Sequence, residues 1–215
     1  MIRSQTVGRL VHGSKENEAV VRDLVNVPAV KRIANFGNAC LQRFGPNLYK
    51  SYDEVLTDLC DRDPTLYRNW PNNVFACATF NVGSRTTTVK HTDHLNLSYG
   101  WCVITAIGNY DPTRGGHAVL WELRMVIEFP PLRSILIPSA VVSHSNTDIA
   151  DGEVRYSLTQ YSAGGLFRWV AAGHQTLKSL RAKGGRLTES GEEHWKRGVG
   201  LLSMWDELQA WWRSL

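Results

Sequence analysis

The chain changes its hydrophobic rhythm near residue 74 and again near residue 173. Before the first change, apolar residues recur at helical spacing. "KENEAVVRDLVN" groups Val20, Val21 and Leu24. "AVKRIANFGNACLQRF" groups Val30, Ile33, Ala34, Phe36, Cys40, Leu41 and Phe44, then stops at Gly45-Pro46. Ser51-Tyr52-Asp53-Glu54 reads as a capping box, predicting a short third helix through Leu56, Leu59 and Cys60. The prolines of "DPTLYRNWPNN" end it.

From Val74 the pattern turns to short β-branched and aromatic runs. They are "VFACATFNV", "RTTTVK", "YGWCVITAIG", "HAVLWEL", "MVIEF", "SILIPSAVV" and "VRYSLTQYS". "GSR", "NYDPTRGG", "FPPL" and "DIADGE" separate them as turns. This density of short strands predicts a sandwich or jelly roll. "TESGEEHWKRGVGLLSMWDELQAWWRSL" predicts one C-terminal helix opening near Thr188 or Ser190, after the polar linker "RAKGGR". Trp195, Val199, Leu202, Met204 or Trp205, Leu208 and Trp212 form its core-facing stripe. The expected organisation is a single domain over 1–215, in three parts. Residues 1–73 form a helical support, 74–172 the β core, and 173–215 a linker and C-terminal helix. Leu24, Ile33, Leu41, Trp205 and Leu208 are placed to cover one sheet, since its apolar face needs a partner.

Composition narrows this modestly. The 215 residues are 43% hydrophobic and 20% charged, which fits a folded domain. A net charge of +4 is compatible with a polyanionic partner without pointing to one. Cys40, Cys60, Cys77 and Cys102 form no CxxC pair, so neither a zinc site nor a disulfide framework is expected. Free thiols fit a reducing compartment. No run reaches the ~18 apolar residues of a membrane span, and "MIRSQTVGRLVHG" lacks a signal-peptide core. A soluble, intracellular monomer is the expectation.

The chemistry concentrates in "KHTDHLNLSYGWCVITAIGNY". His91 and Asp93 are two apart, so in an extended segment both side chains point the same way and can reach one metal. Alone, such a pair is usually a hydrogen-bonded turn. A 2-His-1-carboxylate triad needs a distant third ligand, and His144, ending the strand-like "SAVV", supplies a candidate. Further on, "RYSLTQY" places Arg155, Ser157 and Thr159 on one strand face. A guanidinium with a neighbouring hydroxyl suits bidentate binding of a carboxylate, here the distal carboxylate of 2-oxoglutarate. The plainer alternative is an arginine on the polar face of an edge strand.

The order of these features resembles the double-stranded β-helix dioxygenases that use Fe(II) and 2-oxoglutarate. "HTDHLNLSYGWCVIT" (His91, Asp93, Asn96, Gly100) and "RYSLTQY" (Arg155, Ser157, Leu158, Tyr161) are similar to the oxygenase core of the TET/JBP group. "GGHAVLWEL", "IPSAVVSHSN" and "SAGGLFRWV" resemble its large basidiomycete fungal expansion. The cysteine-rich zinc region of animal TET proteins has no counterpart here. The resemblance implies an α+β, mainly β fold: a double-stranded β-helix (a distorted, cupin-like jelly roll) with terminal helices packed on one sheet. It implies Fe(II) held by His91, Asp93 and His144, with 2-oxoglutarate as co-substrate on Arg155, Ser157 and Asn81. The implied reaction oxidises a methyl group on a DNA base, foremost 5-methylcytosine, which would make the protein nuclear. Hydroxylation of a small molecule, amino acid or peptide is the rival reading, and a β-helix protein without metal a third.

Other polar residues stay open between roles. Asn81 contacts co-substrate or caps a turn, and Asn96 binds substrate or braces the Asp93 loop. His94 and Tyr99 are candidates to stack on an extruded base. Arg85, Lys90 and Arg114 are candidates for phosphate contacts, with Tyr110 beside Arg114 in the same loop. His117 reads as structural, and His12, His174 and His194 as surface residues.

Overall fold

The computed structural model describes residues 7–9 and 13–214; His12 lies outside them. Three helices open the chain. In α1 (Lys15–Asn26), the Ser14 hydroxyl accepts the Asn17 amide at 3.2 Å as an N-cap. Helices α2 (Pro28–Phe44) and α3 (Pro46–Arg62) each begin on a proline, whose missing N–H costs nothing in the first turn. The third helix therefore starts ahead of the predicted capping box, and Ser51 lies inside it. Gly45 turns the chain directly from one helix into the next, and Leu48, Tyr52, Leu56 and Leu59 bury one stripe along the whole length.

Seven strands follow: β1 (Cys77–Asn81), β2 (Cys102–Asn109), β3 (Ala118–Leu120), β4 (Met125–Ile127), β5 (Ser134–Ile137), β6 (His144–Asn146) and β7 (Val154–Tyr161). They form two antiparallel sheets, ordered β1-β7-β2-β5 and β4-β3-β6. Three strand expectations change. "RTTTVK" is no strand; it touches its neighbours at the bridge Arg85–Arg155 and through hydrogen bonds of Thr86 and Thr88 to Arg155 and Asn146, and the bridge His91–His144 follows it. "SILIPSAVV" pairs only through Ile137, because Pro138 has no amide to donate and its carbonyl is taken by the Val141 and Val142 amides of a turn. His144 consequently begins a strand instead of ending one.

The sheets share apolar side chains. Ile104 and Ile135 of the larger sheet pack with Ala118, Leu120 and Ile127 of the smaller one. On the other face of the larger sheet lies α2. A Cβ on Gly37 would stand 2.8 Å from Val103 Cγ1 and 2.9 Å from Gln160 Nε2, so glycine sets this close approach. Gln160, fully buried, donates to the Ala34 carbonyl at 3.2 Å and accepts from Asn73 at 2.8 Å, tying strand, helix and loop together.

The C-terminal part departs most from expectation. It holds α4 (Gly164–Ala171), α5 (Leu177–Ala182), α6 (Gly191–Val199) and α7 (Trp205–Arg213). Ser190 is a true N-cap with a capping box to Glu193, but Gly200 ends that helix. The predicted stripe is then split. Leu208 is buried, whereas Trp195, Val199, Met204 and Trp205 are exposed. Trp205 does not cover the sheet; it stacks edge-on against Trp212, whose indole donates to the Arg43 carbonyl at the end of α2. Among the described residues, no helix is long and apolar enough to cross a membrane.

Candidate metal centre and its cavity

His91 and His144 face each other across an antiparallel bridge, with backbone hydrogen bonds of 3.1 and 2.9 Å in the two directions. Their rings lie 4.3 Å apart. Asp93 turns in beside them, its amide held by the Ser139 carbonyl at 2.8 Å. Its carboxylate oxygens stand 3.7 Å from His91 Nε2 and 3.9 Å from His144 Nε2, and one donor atom from each residue lies within 4.8 Å of the others.

Each imidazole is oriented in the same way. His91 Nδ1 lies 2.8 Å from the Val89 carbonyl, and His144 Nδ1 lies 3.1 Å from the Val142 carbonyl. A carbonyl only accepts, so each Nδ1 carries a proton and each Nε2 is the ring atom turned toward Asp93. Burial is the leading cause that pushes the His144 pKa below its usual value, so the ring is neutral at pH 7. Two imidazole Nε2 atoms and a carboxylate fit a divalent cation in a 2-His-1-carboxylate arrangement.

The three residues open on a cavity of about 410 Å³, in the range of small-molecule sites. Along β7, Arg155, Ser157, Thr159 and Tyr161 all line it, as the two-residue period of a strand requires. Arg155 is 3% exposed. One of its nitrogens donates to the Thr86 carbonyl at 2.9 Å, while Nε is buried without a partner. Burial lowers its pKa, and among the described residues no carboxylate pairs with it. A buried guanidinium with an orphaned donor fits an incoming carboxylate. Asn81, opposite Ser157 in the register, donates to its hydroxyl at 2.9 Å.

Asn96 braces the carboxylate ligand. Its Nδ2 lies 3.3 Å from Asp93 Oδ2 and 3.1 Å from Ser139 Oγ, and its own amide donates to the Asp93 carbonyl at 2.8 Å. His94 is exposed and lines the cavity mouth. Tyr99 does not. It is 3% exposed in the helical core, beside Gly198 and the His194 ring, because the bends after Asn96 turn it toward α6.

The expected phosphate contacts separate. Arg85 is bound by Asp151 and the Ile149 carbonyl. Arg114 sits exposed in a turn capped by Asp111 and lines no part of the cavity. Tyr110 is buried, its hydroxyl bonded to the Phe129 carbonyl. Lys90 is exposed beside the site, its ammonium 4.9 Å from the Trp121 ring centre. His117 lies outside the cavity, near Thr147. His174 pairs with Asp58 and His194 with Glu189.

Several residues were not singled out from the sequence. Thr79 shares the inner face of β1 with Asn81, and its hydroxyl lies 3.3 Å from that of Tyr161. Strand alternation alone would have found it. The turn at Trp121–Arg124 clamps the His144 segment, and nothing in the wording of "LWELR" signals this. Glu122 accepts from the Ser143 amide at 2.7 Å and hydroxyl at 2.6 Å. The Trp121 amide donates to the Ser143 carbonyl at 3.0 Å, and its indole to the Ser145 hydroxyl at 3.1 Å.

These features define an α+β protein in which two antiparallel sheets enclose a His-Asp-His cluster and a buried arginine. Its fold is like that of a TET oxygenase. The solved structure of NgTET1 in complex with 5mC DNA matches it with a TM-score of 0.56 and 16% identity, over 74% of this chain and 56% of that one. The chain thus spans little more than half of that protein's length, and identity this low makes the likeness one of fold. No family model and no curated protein matches the sequence.

Proposed function

We propose that this chain is a single Fe(II)/2-oxoglutarate-dependent dioxygenase domain, built as a double-stranded β-helix, that oxidises the methyl group of 5-methylcytosine in DNA. The observation that carries this reading is the pairing, in one cavity, of a His91-Asp93-His144 cluster with the buried guanidinium of Arg155, whose Nε has no partner. Fe(II), bound with 2-oxoglutarate and oxygen, supplies oxidation of a substrate C–H bond while 2-oxoglutarate leaves as succinate and carbon dioxide.

The chain's own residues do the rest. His91, Asp93 and His144 would hold the metal at the edge of the cavity. Arg155 takes the far carboxylate of the co-substrate in its planar fork, and Ser157, oriented by Asn81, adds a hydroxyl. Asn96 keeps Asp93 from swinging out. Ile104, Leu120, Ile135 and Ile137 wall the cavity and exclude water from the reacting carbon.

The DNA assignment rests on the likeness to a TET fold and on the mouth. A methyl group stacked in a duplex cannot enter a cavity that holds the ligands inside it, so the base is flipped out or taken from a single strand. His94 stands where such a base enters, and Lys90 is an exposed cation beside the ligand motif. A nuclear location follows from that substrate.

The test incubates the protein with Fe(II) and 2-oxoglutarate under nitrogen, admits oxygen with methylated oligonucleotides, and quantifies nucleosides by mass spectrometry. Succinate formed in step with 5-hydroxymethylcytosine supports the reading. Succinate coupled to a metabolite or peptide, with DNA untouched, replaces the substrate and leaves the metal assignment standing.

A further inference from the structure

The two most exposed large apolar side chains among the described residues flank the metal-ligand motif. Val89 is 84% exposed just before it, and Leu95 is 74% exposed just after it. Neither hangs on a loose tip. The Val89 carbonyl accepts from His91 Nδ1 at 2.8 Å, and the Leu95 carbonyl accepts from the Gly164 amide at 2.9 Å. Asn96, next to Leu95, is bonded to Asp93 and Ser139. The backbone carrying both side chains is therefore tied to the ligand segment and to the start of α4.

A rigid apolar side chain at a cavity rim gains nothing from water; it gains when something covers it. A ligand lodged inside the cavity covers the inner edge of Leu95 and leaves most of its surface wet. A macromolecule seated over the mouth covers it fully. Lys90 directly follows Val89, and His94 directly precedes Leu95, so the apolar side chains alternate with a cation suited to a phosphate and an imidazole suited to a base. That alternation fits a nucleic-acid duplex better than a peptide. Extruding a nucleotide leaves a gap between two stacked base pairs, and apolar wedges such as leucine fill gaps of this kind.

We propose that Leu95, which lines the cavity and is 74% exposed, is the wedge that enters the gap left by the extruded nucleotide. This rests on the DNA reading above. It makes Leu95 a positioning residue for duplex substrates, acting through the DNA and not on the reacting methyl group.

The experiment compares the parent with Leu95→Ser and Leu95→Met on one 5-methylcytosine oligonucleotide, offered as a duplex and as a single strand. If the wedge offsets about 1.4 kcal/mol of the unstacking cost, its loss should lower the ratio of duplex to single-strand turnover by about tenfold. Leu95→Met should restore that ratio, since methionine is also an apolar wedge. In parallel, 2-aminopurine beside the target base reports extrusion in anaerobic complexes with Fe(II) and 2-oxoglutarate. The parent should brighten it and Leu95→Ser should not. An unchanged ratio and unchanged brightening in Leu95→Ser overturn the wedge while the DNA reading stands. A parent that oxidises neither form, or that couples 2-oxoglutarate turnover only to a peptide, overturns both.

Discussion

At the scale of single residues, Arg155 carries the heaviest commitment. Its side chain is almost fully buried, is pushed down in pKa by that burial, and has one donor with no partner. Replacing it with alanine would leave the co-substrate's far carboxylate buried without its pair, a loss of roughly 3–5 kcal/mol in 2-oxoglutarate affinity. Arg155→Lys should recover only part, because an ammonium lacks the planar fork. Calorimetric titration of 2-oxoglutarate into the Mn(II)-loaded protein measures both; an unchanged affinity would place the anchor elsewhere. Asp93 is the one anionic member of the cluster, so Asp93→Ala should abolish tight metal binding, while His117→Ala should keep it. Equal loss in the two variants, read by metal analysis after gel filtration, would mean damage to the fold and not to a ligand.

At the scale of elements, two contacts decide whether the site is held. The clamp of Glu122 on Ser143 fixes the residue before His144 through two hydrogen bonds, which also hold the Glu122 carboxyl below its usual range. Glu122→Ala should weaken metal binding by about tenfold, as losses of outer hydrogen-bond partners do, without unfolding the protein. The second contact is α2 on the larger sheet. A methyl on Gly37 must displace Val103 or Gln160, so Gly37→Ala should cost about 1–3 kcal/mol in urea unfolding. The first two helices were legible because their apolar residues repeat with helical period over 12 and 17 residues, and the long strands because β-branched and aromatic residues fill runs of 8 between turn signals. The break between α6 and α7 was not, since the apolar spacing runs on through Gly200 and only backbone geometry stops the helix there. His91, Asp93, Arg155 and Ser157 were legible from two-residue spacing and residue chemistry. Tyr99 was misread because sequence neighbourhood to the ligands says nothing about which way a bend turns a side chain. Glu122 and Ser139 were invisible for the complementary reason: they reach the site through space.

At the scale of the whole molecule, the candidate ligands divide between the two sheets. His144 belongs to β6 in the smaller sheet, with His91 bridged to it and Asp93 two residues on, whereas Arg155 and Ser157 belong to β7 in the larger one. A metal ion alone would therefore tie together segments of one layer. A co-substrate bound to that metal and to Arg155 would span both layers, resisting the separation that unfolding requires. Binding to the native state alone stabilises it by about 2.7 kcal/mol at a ligand concentration one hundred times Kd. For a chain of this size that corresponds to roughly 5–10 °C in the thermal midpoint. We expect Mn(II) to raise the midpoint once and 2-oxoglutarate, added to the Mn(II) form, to raise it again. The second increment should require the metal, and it should vanish in Arg155→Ala while the first survives. In Asp93→Ala both should vanish. Scanning calorimetry of the four combinations measures this directly. Equal increments from 2-oxoglutarate with and without Mn(II) would show that the carboxylate binds Arg155 without reaching the metal, and would separate the two halves of the site.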